Sequence, residues 1–235
     1  MARWGMVIDL DKCTACQACT VACKEENNEP IAGPEESARG RDIFWMQVLS
    51  IVEGSYPRVR ARFIPRPCMH CDEPPCVQVC PVDATYKRPD GIVAQDYDRC
   101  IGCRYCMVAC PYGVRYFNWN RPKFQATEYL NPDQALGRNG AREGPVVRPV
   151  GVVEKCTFCV HRSEKAKEKA KAEGREVRDG DYVTACTQTC TGGAIKFGDL
   201  DDPNSEVYKL SQDKRAFRLL EEMGTEPRVY YLKEG

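Results

Sequence analysis

Apolar residues in this chain come in short bursts rather than long periodic runs. Residues 4–10 are apolar but for Gly5 and Asp9, and read as a short strand. The polar, turn-rich stretch 25–41 reads as a surface loop. Residues 43–52 and 59–64 are β-rich and flank a turn containing Gly54 and Pro57, which predicts an antiparallel hairpin. That hairpin is either a docking surface for a partner or a cover over what lies beneath it. Residues 81–98 read strand, turn at Asp90 and Gly91, strand. Aromatic residues gather at 112–119 and are expected to pack toward the neighbouring cysteines. Residues 122–149 are rich in Gly, Pro, Asn and Arg without a period, and a loop of that length is usually functional or ordered by a partner. Residues 161–175 form a Lys/Glu/Ala helix with charge on every face, the pattern of a solvated helix laced by i,i+3 and i,i+4 ion pairs. Residues 211–223 predict a C-terminal helix with Phe217, Leu219, Leu220 and Met223 inward and Gly224 as its stop. Residues 229–232 read as a final strand.

Composition changes this picture in two ways. The chain has 235 residues, enough for one domain or two small ones with a real core. Thirty-four Lys and Arg balance thirty-four Asp and Glu, which argues against a general nucleic-acid or anionic-membrane binder. The longest apolar run, 43–52, is too short to span a bilayer, and residues 1–9 lack a signal-peptide core with a cleavage site. The expectation is a protein soluble by itself, whose membrane contact comes through a partner. The second change is sixteen cysteines. A chain this long needs no disulfide scaffold, so cysteine at this density reads as metal binding.

The spacing of those cysteines is specific. Cys100, Cys103, Cys106 and Cys110, followed by Pro111, fit the bacterial ferredoxin run C-x2-C-x2-C-x3-C-P without a mismatch. Cys68, Cys71, Cys76 and Cys80, followed by Pro81, are the same run with two residues added before the third cysteine. Three closely spaced thiolates wrap a loop around three corners of a cubane, and the fourth comes from a distant segment whose proline ends a short helix. In such a pair the fourth cysteine of each run ligates the other run's cluster. Cys68, Cys71, Cys76 and Cys110 are therefore expected to hold one [4Fe-4S] cluster, and Cys80, Cys100, Cys103 and Cys106 another.

An internal repeat assigns the rest. Cys13, Cys16, Cys19 and Cys23 form a third run, and Cys156, Cys159, Cys186 and Cys190 a fourth, its middle gap widened by the charged helix. The approach to Cys13 resembles the approach to Cys100, and the exit from Cys190 resembles the exit from Cys80. A second ferredoxin unit is thus present with its halves in reverse chain order, and the first unit is inserted in it. By exclusion Cys13, Cys16, Cys19 and Cys190 hold a third cluster, and Cys23, Cys156, Cys159 and Cys186 a fourth. Each of the sixteen cysteines is then used once.

Other chemistries fit less well. Four all-cysteine zinc sites would consume the same thiolates, but zinc knuckles come as separated C-x2-C pairs. His70, between two ligands, suggests a Rieske-type ligand, yet a full cysteine set beside it favours a supporting or surface role. His161 reads the same way. No Gly-rich phosphate fingerprint follows a strand, and no Ser-His-Asp or Cys-His arrangement is apparent. No catalytic residue is expected. The fold class is α+β, two ferredoxin-like βαββαβ modules nested one in the other. The outer module takes residues 1–66 and 150–200, with a hairpin insertion at 42–66. The inner module takes 67–119, a partner-facing loop 120–149, and a C-terminal extension 201–235.

Four ferredoxin runs in this nested order resemble the iron–sulfur electron-transfer subunits of the complex iron–sulfur molybdoenzyme family. Stretches 68–76, 153–162 and 197–205 are most similar to the subunits of polysulfide reductase and of the quinone-linked group, menaquinone reductase and alternative complex III. Thr191 departs from the family's proline after the last cysteine. The resemblance implies a non-catalytic subunit carrying four [4Fe-4S] clusters in the order motif-one cluster, motif-four cluster, central pair. It implies two partners, a catalytic subunit of molybdopterin type facing the motif-one cluster and an integral membrane quinone-binding subunit facing the central pair. It places the protein peripherally on the cytoplasmic membrane, at the periplasmic face through co-export with a partner, with the cytoplasmic face as the alternative. The alternatives are a quinone-linked coupling complex without active molybdenum and a free cytoplasmic polyferredoxin. The long insertions at 24–66 and 120–152 argue against the latter.

Overall fold

The structure, a computed structural model, describes residues 2–121, 130–134 and 147–234. In chain order its strands are β1 (Trp4–Asp9), β2 (Gln47–Ser55), β3 (Arg58–Arg66), β4 (Thr85–Lys87), β5 (Val93–Gln95), β6 (Tyr116–Phe117), β7 (Val153–Glu154), β8 (Ile195–Asp199), β9 (Ala216–Phe217) and β10 (Val229–Leu232). Its helices are α1 (Ala18–Glu26), α2 (Pro34–Ala38), α3 (Pro75–Gln78), α4 (Tyr105–Ala109), α5 (Val160–Ala172), α6 (Ala185–Thr189) and α7 (Glu206–Ser211). The class is α+β.

β1 is buried at every position, and its apolar run has no polar alternation because both faces are covered. It lies inside a sheet of order β8-β1-β10-β9. Met6 faces Phe197 across an antiparallel pair and Val229 across a parallel one. The strand before the first cysteine run is thus paired with the strand after the last. One face of this sheet carries Trp4, Met6, Ile8, Phe197 and Tyr231 into the main core, which also holds cysteines of several runs. The other face packs Val7 and Leu232 under Leu200 and Val207 at α7. Between the second and third runs, β4 and β5 form the expected hairpin, with Gly91 left-handed (φ +80°) in its turn.

The β2–β3 hairpin forms as expected, with strands longer than the apolar segments. Its outer half is exposed. Leu49, Ile51, Arg58, Arg60, Arg62 and Ile64 share one face, while Val48, Val52, Val59 and Ala61 share the other.

Several expectations need correction. Stretch 25–41 is not a plain surface loop. α1 runs to Glu26, α2 interrupts the loop, and Asn27, Asn28 and Glu29 are buried. Their polar groups are consumed inside. Asn27 Nδ2 donates to the Cys23 carbonyl at 2.9 Å, Asn28 Nδ2 to the Asn131 carbonyl at 3.0 Å, and Glu29 accepts from the Trp45 N–H at 3.0 Å. α5 is not solvated all round. His161, Ser163, Ala166 and Ala170 form a buried stripe, and most charges reach other elements, Arg162 to Glu26, Lys165 to Asp133 and Lys167 to Asp90. Glu164 and Lys167 do form an i,i+3 pair.

The C-terminal helix is also displaced. Ser205 Oγ accepts from the Tyr208 N–H at 3.0 Å and starts α7 upstream of residue 211. Arg215 then turns back onto Asp9 and Asp11, and Phe217 joins the sheet opposite Tyr231. Leu220 and Gly224, both left-handed, bracket a 3-10 turn, leaving Leu220 39% and Met223 56% exposed rather than inward. Within the expected partner-facing loop, 122–129 and 135–146 lie outside the described residues. Its described edges are not loop-like. Gln134 and Arg148 are buried, and Arg148 donates to the Asn27 carbonyl and pairs with Glu154. Among the described residues, no helix is long and apolar enough to cross a membrane.

Candidate metal centres

All sixteen cysteines are free of disulfides. Two helix contacts organise them. α1 packs on α6, setting Cys19 and Cys23 beside Cys186 and Cys190, and α3 packs on α4, setting Cys76 and Cys80 beside Cys106 and Cys110. Cysteines distant in sequence therefore meet crosswise.

Cys13, Cys16, Cys19 and Cys190 line one cavity, closed on one side by Val48 and Pro65 of the hairpin. Cys68, Cys71, Cys76 and Cys110 line another, with Pro74, Pro75, Val93 and Val114 as apolar walls. Cys23 feels the charge of the Cys156, Cys159 and Cys186 thiols. Cys106 faces Cys76 and Cys100. Cys80 accepts from the Thr85 N–H at 3.4 Å.

The loops achieve this by left-handed residues. Ala15 and Gln17, His70, Gly102 and Arg104, and Phe158 and Cys159 all have positive φ within their cysteine runs. Such residues curl successive N–H groups toward one side, a concavity suited to negative charge. The sulfurs collect donors accordingly. Backbone N–H groups of His70, Phe158, Ala185 and Ala194 point at Cys68, Cys156, Cys159 and Cys190 at 3.5, 3.4, 3.4 and 3.2 Å. Asn27 Nδ2 reaches Cys23 Sγ at 3.5 Å, and Arg115 Nη2 reaches Cys76 Sγ at 3.1 Å.

The donor chemistry fits an iron–sulfur core. Burial pushes the thiols of Cys19, Cys71 and Cys159 up to about 12, with neighbouring thiols adding to the effect, and holds Cys23 and Cys156 well above the ordinary thiol value. Thiolates packed this closely out of water are stable only around a cationic centre, and metal binding releases their protons. Among the described residues, no three His, Cys, Asp or Glu side chains converge as a single ion requires. In the two cavities the thiols stand instead around the walls.

The sets also follow one another. The strongest thiol charge on Cys19 comes from Cys186, Cys156 is acted on by Cys68, and Cys106 by Cys76. All the interior members but the half-buried Cys110 are buried, whereas Cys16 and Cys103, at opposite ends of the series, are exposed. Ile101, Tyr105 and Val108 are exposed around the Cys103 end.

Neither histidine is at the surface. His70 is fully buried, stacks on Phe158 with ring centroids 3.8 Å apart, and accepts from the Val93 N–H at Nδ1. Burial, with Lys155, Arg228 and Arg115 nearby, holds it neutral. His161 Nε2 meets Glu26 at 2.6 Å. Sequence reasoning passed over the buried cations Arg115 and Lys155. The signal for Arg115 was its place five residues after Cys110, where the repeat has Thr85 after Cys80 and Ile195 after Cys190.

A family model described as a 4Fe-4S dicluster domain matches residues 59–140, and one described as a 4Fe-4S binding domain matches residues 4–25. The chain is 52% identical to the menaquinone reductase iron–sulfur cluster-binding subunit of Nitratidesulfovibrio vulgaris, over 98% of this chain and 88% of that one. It is 43% identical to a selenate reductase subunit of Mesobacillus selenatarsenatis, over 98% and 72%. It is 38% identical to the arsenate respiratory reductase iron–sulfur subunit of a Shewanella species, over 98% and 96%.

Proposed function

The chain belongs to the iron–sulfur electron-transfer subunits of molybdoenzyme-type respiratory complexes, and from that premise we propose how its residues do this work. The sixteen cysteines fit four [4Fe-4S] clusters. Cys13, Cys16, Cys19 and Cys190 hold the first, and Cys23, Cys156, Cys159 and Cys186 the second. Cys68, Cys71, Cys76 and Cys110 hold the third, and Cys80, Cys100, Cys103 and Cys106 the fourth. The clusters supply one-electron redox chemistry, with potentials set by charge, burial and hydrogen bonds to sulfur. The chain fixes the thiolates, aims N–H groups at them and excludes water from the interior sets. The observation that carries this reading is the single series of thiols, buried in the middle and exposed at Cys16 and Cys103.

The two exposed ends are contact points for two partners. The Cys16 end faces a catalytic subunit of molybdopterin type. The Cys103 end, with its exposed Ile101, Tyr105 and Val108, faces an integral membrane subunit that handles quinone. The module boundaries follow the same logic. Residues 1–66 with 150–200 make the outer ferredoxin unit around an inner unit at 67–119, a reading supported by the β1–β8 pairing. The subunit sits peripherally on the cytoplasmic membrane, at its periplasmic face by co-export with a partner.

A second reading is a quinone-linked complex without active molybdenum, favoured by the 52% identity to a menaquinone reductase subunit. Anaerobic purification of the tagged chain from solubilised membranes, with metal analysis of what accompanies it, separates the two. About sixteen irons per chain with molybdenum or tungsten supports the first, and the same iron without either metal supports the second. Zinc in place of iron sinks both.

A further inference from the structure

Arg115 follows the turn that leaves Cys110 and is only 4% exposed. Both terminal nitrogens of its guanidinium are engaged. Nη2 donates to Cys76 Sγ at 3.1 Å, and Nη1 donates to Thr85 Oγ1 at 3.2 Å and Gln95 Oε1 at 3.3 Å. Among the described residues, no carboxylate forms an ion pair with it. A buried cation without a counter-ion is among the costliest groups a fold can carry. Burial works against its charge here. The thiols of Cys76, Cys106, Cys68 and Cys110 outweigh that and hold the guanidinium above its ordinary value. Those four cysteines come from both central sets.

The repeat sharpens the point. Five residues after the closing cysteine of each run stand Asn28, Thr85, Arg115 and Ile195. Only the central pair has a charged residue there. In the outer unit the place is taken by a neutral amide and by a buried isoleucine.

We propose that Arg115 is the fixed counter-charge of the central pair, raising the reduction potentials of its two clusters above what the same ligands would otherwise give. The proposal rests on the ligand sets above. Each reduction adds one electron, and so one negative charge, which arrives from the neighbouring centre and leaves for the next without a proton or bond changing hands. A cation in hydrogen-bond contact with one ligand and facing the other set stabilises that charge, and the dry surroundings screen it little. The effect is larger for the cluster of Cys76, which receives the hydrogen bond. Arg115 acts through the sulfurs and is a positioning residue for charge, not a ligand.

The test is an anaerobic redox titration of the intact complex followed by electron paramagnetic resonance, for wild type, R115K, R115M and Q95E. In R115M, two of the four one-electron components fall at least tenfold in their reduction constants, about 59 mV each for one electron. The other two stay in place, and R115K restores most of the loss. Q95E keeps the guanidinium but sets a carboxylate against Nη1, and shifts the same two components downward. Unchanged central potentials in R115M and Q95E, with all four clusters present, would make Arg115 a packing residue and overturn the proposal. Should R115M fail to load its clusters, Q95E alone decides. Wild-type protein lacking four clusters would instead overturn the ligand sets, and this inference with them.

Discussion

Asp72, the residue after Cys71, ties the inner cysteine loop to the outer sheet. It accepts from Arg228 at 2.5 Å, from Arg3 at 2.7 Å and from Lys87 at 2.9 Å. Arg3 precedes β1, Arg228 precedes β10 and Lys87 ends β4, so three elements meet at one carboxylate. Burial would raise its pKa, but the three cations outweigh that and hold the carboxyl well below its ordinary value. D72N keeps the shape and removes the charge. Arg3 and Lys87 are each about a third exposed, so each pair contributes only about 0.5 kcal/mol. Arg228 is buried and would be left poorly compensated, adding about 1–2 kcal/mol. The total is about 2–3 kcal/mol. Cluster proteins unfold irreversibly, so the assay is the anaerobic rate of loss of visible cluster absorbance at fixed denaturant. If the loss falls on the unfolding barrier, D72N bleaches about 30- to 160-fold faster, and R3Q about two- to threefold. The sign with pH follows from the lowered pKa. The contribution is full above the unfolded carboxyl value of about 3.9 and is lost only as pH falls below it, so the difference stays flat between about pH 6 and 8. A D72N rate within twofold of wild type would refute this account of how the two units are joined.

Glu29 behaves in the opposite sense. Burial raises its carboxyl to about 7, so its stabilising protonated form is complete below the unfolded value and lost as pH rises through about 7. Wild type should therefore lose about 2.5 kcal/mol between about pH 5 and 8, while E29Q stays level; the anaerobic bleaching rate at several pH values reads this, and parallel curves would contradict it. Gly102 is left-handed at φ +69°, and a Cβ there would meet the Gly151 carbonyl oxygen at 2.2 Å. G102A should lose about four irons per chain through the fourth set alone, and full iron would show that the loop adapts. At the C-terminus, L220A should cost less than about 1 kcal/mol and F217A about 3 kcal/mol. The reverse order would restore a helix over 211–223.

The cysteine runs were legible because ligand spacing is a local property and the repeat is visible in the flanks. Strand β1 and the β4–β5 hairpin were legible for the same reason. The course after Ser205 was not. A capping serine, a lone arginine returning to Asp9 and a two-residue strand opposite Tyr231 carry no periodicity, so the tertiary pairing of Phe217 overrides the helical pattern. α5 looked solvated because its buried stripe consists of Ala, Ser and His, which contribute little to an apolar pattern. Buried Asn27 and Glu29 were missed because composition counts them as loop residues, and only the structure supplies the Cys23 carbonyl and the Trp45 N–H as their partners.

The central claim is that cysteines distant in sequence close each other's sites, and single-cysteine variants test it most directly. C13S, C190S, C156S and C23S would each be purified anaerobically in the complex, and the missing resonance component identified for each. The account predicts that C190S loses the same component as C13S, and C23S the same as C156S. Loss of the C156S component by C190S, and of the C13S component by C23S, would mean that each run closes its own site, and would contradict the nested arrangement.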